Sequence, residues 1–276
     1  MPSRPPLLFS VDLEDVRDQV PGGARYAPRV AENTRRYLRF LDEIGGRATF
    51  FVVGRSARRE PGLLREIAAA GHELACHGDA HLQLDKLTAA AFRADLERNR
   101  EALLAAGAEA PVGFRAPTFS LTRRTAWAHE VLAEMGFRYS SSVLPAANPL
   151  YGWPGFGQAP RRVAGGLWEL PITLHARPRV PLAGGVYFRV LPWWLIRRSA
   201  RRCRRAGRPL LTYLHPYDID TGQERFMHPD IHDNRFYNFL MYYNRAGVFD
   251  RLGRLAREFA FCRYRDYLDR LEAAGG

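Results

Sequence analysis

Lysine is almost missing from this chain. Lys86 is the sole lysine among 41 basic residues, so a formal net charge of +12 rests on arginine. Such an excess fits an anionic partner such as nucleic acid, a membrane surface or a phosphorylated substrate. It fits an arginine-favouring genome composition equally well, and no nucleic-acid recognition motif accompanies it. A nucleic-acid partner is therefore not expected. Cysteine is scarce too: Cys76, Cys203 and Cys262 are scattered without metal-like spacing. That excludes a disulfide framework and fits a reducing compartment. No run approaches the ~18 apolar residues of a membrane span. The N-terminal stretch Met1-Pro2-Ser3-Arg4-Pro5-Pro6 enters a strand-like segment with no apolar leader, so no secretory signal is read and a cytoplasmic location is expected. Internal repeats, low-complexity tracts and linkers are also absent. With 276 residues, 46% of them hydrophobic, one domain over 1–276 is the simplest organisation.

What is present alternates. Leu7 to Leu13 reads as a buried strand, Val30 to Ile44 as a helix stopped at Gly45-Gly46, and Ala48 to Val53 as a second strand. Pro61 to Ala70 is helical, Glu73 to Cys76 a short strand, and Thr88 to Ala106 a long helix with Thr88 as its cap. Val112 to Pro117 gives a fourth strand and its exit, Thr122 to Met135 a helix, and Phe137 to Val143 a strand. Asn148 to Gly166, rich in Gly, Pro and aromatics, reads as a long loop. Leu167 to Ile172 is a strand, Val190 to Ala206 a basic helix broken near Pro192, and Leu210 to Leu214 the last clear strand. Asp220 to Asn238 is irregular, and Phe239 to Phe259 is mostly helical within a C-terminal helical extension of about residues 220–276. Strands alternating with helices predict an α/β fold with a parallel sheet. The polar residues cluster where strands end, the place where (β/α) barrels carry their sites.

His77 and His81 stand four apart, a spacing that shares one face of a helical turn and lets both imidazoles address one metal ion. Asp12, Glu14 and Asp15 close the first strand, with Asp12 and Glu14 on one face by strand alternation. Three acids so crowded repel one another unless a cation is present. Two histidines and one carboxylate leave coordination positions open, as catalytic metal sites do, and suit zinc, cobalt, nickel or iron. Arg115, at the fourth strand's end, could hold a carboxylate ionised. His215, following the last strand, could act as a general acid.

Five segments in order resemble the motifs of the polysaccharide deacetylases (carbohydrate esterase family four, the NodB-homology fold). They are Phe9-Ser10-Val11-Asp12-Leu13-Glu14-Asp15, Ala48 to Gly54, Gly71-His72-Glu73 with His77-x3-His81, Phe114-Arg115-Ala116-Pro117 and Leu214-His215-Pro216. Tyr151-Gly152, Gly184 to Arg189, His215 to Asp220 and the Arg235 to Phe259 tail resemble the subgroup linked to exopolysaccharide and O-antigen loci. The resemblance implies a single-domain distorted (β/α)7–8 barrel. It implies Asp12 as general base, Arg115 as its tether, His77 and His81 as metal ligands and His215 as general acid. It further implies the Thr118 backbone N–H as an oxyanion donor and Leu170 in an acetyl pocket. The commonest family pattern has adjacent aspartates, whereas Leu13 follows Asp12 here. The carboxylate ligand is thus Glu14 or Asp15, and an acid-x-acid pattern in some relatives favours Glu14. Ser140-Ser141-Ser142 stands where the subgroup often has Asp before Ser-Ser.

The expected reaction is metal-dependent hydrolysis of the N-acetyl group of an amino sugar, polymeric, lipid-linked or nucleotide-linked, with zinc as the leading metal. Tyr151, Trp153, Phe156 and Tyr187 are candidates for stacking on a sugar face. The arginines from Arg197 to Arg205, beside Trp193 and Trp194, could meet a pyrophosphate or lie at a membrane surface, or form a solvated helix face. The rival is a metal-dependent C–N hydrolase of a cyclic amide or ureide on the same fold. The sequence does not specify an oligomeric state.

Overall fold

A computed structural model of the chain describes residues 4–148, 150–174, 184–229, 231 and 233–275. Position 149 of the long loop, and positions 230 and 232 of the stretch expected to be irregular, lie outside them. In chain order the elements are β1 (Pro6–Leu13), α1 (Val30–Glu43), β2 (Thr49–Val52), α2 (Gly54–Arg59), α3 (Pro61–Ala69), β3 (Glu73–Cys76), α4 (Ala89–Ala105), β4 (Gly113–Phe114), α5 (Ala128–Glu134), β5 (Tyr139–Ser140), β6 (Arg161–Arg162), β7 (Trp168–Glu169), α6 (Gly185–Val190), α7 (Trp193–Arg205), β8 (Leu210–Leu214), α8 (Arg235–Tyr242), α9 (Val248–Glu258), β9 (Ala260–Cys262) and α10 (Tyr264–Ala273).

The strands form one sheet in the order β6-β7-β5-β4-β3-β2-β1-β8. Every pairing is parallel except β6 with β7. β1 is the hub, bonded to β2, to β8 and, along Pro6 to Leu8, to β9. The curled sheet with its helices is the parallel α/β arrangement that the alternation predicts, closed as the distorted (β/α) barrel that the resemblance implies.

Two cores explain why each strand reads as nearly continuous apolar sequence. Leu7, Phe9, Val11 and Leu13 of β1 face the helices and pack with Phe50, Leu74, Phe114 and Leu214. Leu8 faces the barrel interior with Phe51, Ala75, Tyr139, Leu170, Leu211 and Tyr264. Strands covered on both faces lose the polar half of their alternation. The same parity sends Ser10 and Asp12 inward.

Three expectations are revised. The helix expected over Thr122–Met135 is a 3₁₀ turn, Arg123–Thr125, closed by a Thr122–Thr125 capping box, followed by α5. The tail is not wholly helical, because β9 joins β1 and α10 follows it. The strands expected at Phe137–Val143 and Leu167–Ile172 pair over only two residues each, in β5 and β7. The break near Pro192 stands as expected, between α6 and α7. α7 buries Ile196, Ser199, Ala200 and Cys203, and most of its arginines are exposed. No helix among the described residues is long and apolar enough to cross a membrane.

Candidate active site

Asp12 ends the inward row of β1 and is 2% exposed. Arg115 continues the β3–β4 ladder through its N–H to the Cys76 carbonyl and is fully buried. Its Nη1 donates to Asp12 Oδ1 at 2.6 Å and to Ser10 Oγ at 2.8 Å. Its Nε donates to the Ser141 carbonyl at 3.0 Å, and Nη2 to Ser141 Oγ at 3.1 Å and Tyr264 Oη at 2.9 Å. All five guanidinium donors are thereby satisfied. The Phe51 ring lies 4.1 Å from the guanidinium carbon, adding cation–π attraction in a site closed to water.

Glu14, His77 and His81 offer ligand atoms that all lie within 4.8 Å of one another. The two histidines do not meet on a helical turn, as their spacing alone predicts. They meet across a loop that passes through left-handed backbone at Gly78 (φ 76°) and His81 (φ 56°). The loop is pinned by Asp95, which accepts the N–H groups of Asp79 and Ala80, and by the N–H of Gly54 on the Gly78 carbonyl. His77 Nδ1 lies 2.8 Å from the Arg115 carbonyl. A carbonyl only accepts, so Nδ1 carries the proton and Nε2 keeps its lone pair free for a cation. Burial, with His81 nearby, pushes His77 down to about 4, so the ring is neutral at neutral pH.

His81 Nε2 lies 2.5 Å from Glu14 Oε2. Burial alone would lower His81, but Glu14 raises it above its ordinary value. Burial likewise would raise Glu14, but His81, His215 and His77 hold it at about 2. The close His81–Glu14 contact marks the spot where a metal cation would sit between the two side chains. Two imidazoles and a carboxylate, mutually within reach of one ion, suit a divalent metal.

Asp15 is not part of this cluster. Its carboxylate is held by Arg17 at 2.5 Å and Arg59 at 2.9 Å, and its Oδ1 caps the 3₁₀ turn Val16–Gln19. Strand parity accounts for the difference: Asp12 and Glu14 fall on the inner side and Asp15 on the other.

His215 leaves β8 opposite. Its Nδ1 pairs with Asp218 Oδ2 at 2.9 Å, and its Nε2 lies 3.7 Å from Glu14 Oε1. Asp218 also accepts the His215 backbone N–H at 2.8 Å and pairs with Arg189 Nε at 2.9 Å, both side chains fully buried. Burial lowers His215, but Asp218, Glu14 and Asp12 raise it to about 9. Burial raises Asp218, but Arg189 and His215 hold it well below the carboxylate range. The Tyr217 ring stacks on His215 at 4.5 Å and 8°.

Asp218 and Arg189 were not assigned a role from the sequence, although both lie in segments that stood out there. An acid three residues after a strand-ending histidine is a capping-box spacing and would have identified Asp218.

The remaining candidates divide. Thr118 and Phe119 both adopt left-handed backbone (φ 53° and 54°) immediately after the Arg115 strand. Leu170 is fully buried in the inner core, its carbonyl accepting from Ser141 Oγ. Tyr187 lies in the first turn of α6, which follows Gly184, whose missing side chain lets the backbone press against the Tyr213 ring. Tyr151 donates to Asp85 at 2.9 Å, while Trp153 stacks near His129 and Phe156, on the α5 side of the molecule. A cavity of about 190 Å³ opens beside Glu14 and His81, lined also by Gln19, Arg55 and Gln83. A smaller crevice lies on the other flank of Glu14, between Tyr26, Tyr217 and Phe226.

Known proteins share both the sequence pattern and the fold. Residues 18–140 match the polysaccharide deacetylase family model, and residues 141–269 match a domain of unknown function, DUF3473. A Mycobacterium smegmatis protein assigned to the polysaccharide deacetylases superposes with a TM-score of 0.69 at 21% identity, covering 99% of this chain and 92% of that one. Puue allantoinase superposes at 0.59 and 16% identity, covering 96% and 89%. A mutant of the peptidoglycan deacetylase PdaC of Bacillus subtilis superposes at 0.52 and 12% identity, covering 99% and 94%. At these identities the superpositions speak for the fold, and the family match speaks for the first half of the sequence. The polysaccharide deacetylase family pattern thus covers residues 18–140, and the DUF3473 match takes up residues 141–269 of the same barrel.

Proposed function

We propose that the protein is a metal-dependent N-deacetylase of an amino sugar, in which Glu14, His77 and His81 hold a divalent metal, zinc foremost. The observation that carries this reading is the three-ligand cluster flanked by Asp12–Arg115 and by His215–Asp218. When bound, the metal would polarise the acetamide carbonyl and acidify water. Cobalt, nickel and iron suit the same donors.

Asp12, held by Arg115 Nη1, takes the proton of the attacking water. The left-handed turn at Thr118 supplies a backbone N–H for the developing oxyanion. His215, with Asp218 fixing Nδ1, directs Nε2 toward Glu14 and the cluster, and there it protonates the leaving amine. Acetate and a free amino sugar result. Leu170 backs the acetyl methyl, and Tyr187 contributes a sugar-facing ring.

Acetate release from N-acetyl sugars, free, nucleotide-linked and oligomeric, tests this with metal-stripped and metal-restored protein. Release that requires metal and disappears in His77→Ala is expected. The likeness to an allantoinase supports a second reading, hydrolysis of a cyclic ureide. Turnover of allantoin-like rings, with none of the sugars, would replace the first reading by the second.

A further inference from the structure

Three of the five acceptors around Arg115 come from the DUF3473-matching half: the Ser141 carbonyl, the Ser141 hydroxyl and the Tyr264 hydroxyl. Tyr264 is the first residue of α10, which enters the end of the barrel remote from the metal ligands. Its N–H donates to Thr49 Oγ1 at 2.9 Å, and the next N–H, of Arg265, donates to Glu73 Oε2 at 3.1 Å. Its ring stacks on Tyr139 at 5.7 Å and 19° and meets the edge of Phe51 at 5.5 Å and 83°. Both backbone and ring are thus fixed. The hydroxyl, the side chain's one polar atom, meets Arg115 Nη2 at 2.9 Å, and the side chain is fully buried.

A guanidinium is a planar fork, so fixing Nη2 fixes the direction of Nη1. Asp12 is the carboxylate that receives Nη1. We propose that Tyr264 is a positioning residue for the deacetylation: its hydroxyl aims Arg115 at Asp12, making α10 part of the catalytic apparatus. This rests on Asp12 acting as the base. A tyrosine that merely fills the barrel would need its ring and not its hydroxyl.

Tyr264→Phe keeps the ring stack and removes the hydroxyl. The expected result is a fall in kcat of about ten- to hundredfold, with KM unchanged. Tyr139→Phe, in the same stack but bonded to Glu73, leaves kcat at the parent value. In parallel, nitrogen-15 spectra of the parent should show Arg115 Nη protons protected from exchange, and Tyr264→Phe should lose that protection. Parent kcat together with parent Arg115 signals in Tyr264→Phe would overturn the inference. So would rapidly exchanging Nη protons in the parent, a result that needs no variant to fold. A parent that never releases acetate would instead overturn the deacetylase reading, while its Arg115 signals still report whether Tyr264 holds the guanidinium.

Discussion

Replacing Asp218 with asparagine probes a buried junction of charged groups. The carboxylate receives Arg189 Nε on one oxygen, and on the other the N–H of His215 and its Nδ1. An amide presents a donor at one end wherever it is turned, so it faces an N–H and leaves Arg189 without its counter-charge. Breaking a buried pair on one side costs about 3–5 kcal/mol. For a chain of this size that lowers Tm by roughly 10 °C.

A pH signature separates this account from generic damage. In metal-free parent, His215 has a folded pKa of about 9 against an ordinary 6.5. A raised value stabilises the fold fully below pH 6.5, and the stabilisation fades as pH rises through 9. That difference amounts to about 3 kcal/mol. Urea unfolding of EDTA-treated protein at pH 6 and pH 9.5 should show the loss in the parent and little of it in Asp218→Asn. Parallel losses in the two proteins, or an Asp218→Asn variant within about 1 kcal/mol of the parent at pH 6, would refute the reasoning.

Other perturbations have equally definite outcomes. Zinc or cobalt at about a hundred times its Kd should stabilise the parent by about 2.7 kcal/mol, and His77→Ala should abolish the shift in a thermal melt. Gly54→Ala would put a methyl 2.1 Å from Asp79 Oδ1 and 3.1 Å from its Cα. It should therefore displace the His77–His81 loop, weakening metal binding in calorimetry more than it lowers Tm. His72 is pushed down to about 4 by burial and by Arg47 and Arg263. Its ring stays neutral in the fold while the unfolded chain protonates below 6.5. Between pH 7 and 5 this should remove about 2 kcal/mol, measured as a steeper decline in urea midpoint for the parent than for His72→Gln.

The sequence exposed the site better than its supports. Strand alternation put Glu14 on the face of Asp12, yet the choice between Glu14 and Asp15 stayed open in the sequence, because only the folded chain brings Arg17 and Arg59 onto Asp15. His215 and Arg115 were visible because each ends an apolar run. The spacing of Asp218 after His215 was legible, but its pairing with Arg189 was hidden, because Arg189 sits far away in sequence on α6. The spacing of His77 and His81 gave the right neighbours by the wrong geometry: a left-handed loop and a helical turn can both bring i and i+4 together. β9 was missed since three residues, Ala260 to Cys262, are too short to show a period. The expected sugar-stacking role of Trp153 rested on composition, and packing places that ring beside His129 instead.

The pairing of β1 with β9 has a consequence for synthesis. The Cys262 sulfur reaches the Leu7 carbonyl across 255 positions of chain. At about 10 residues per second, the strand carrying Asp12 leaves the ribosome some 25 seconds before its last partner. Throughout that interval Leu7, Leu8, Phe9 and Val11 form an apolar segment with one strand edge open, the kind of surface that chaperones shield. A stalled or truncated message would release Asp12, His77, His81 and Arg115 on a chain that lacks β8, β9 and Tyr264. Quality control during translation therefore bears on the assembly of this site as directly as any residue in it.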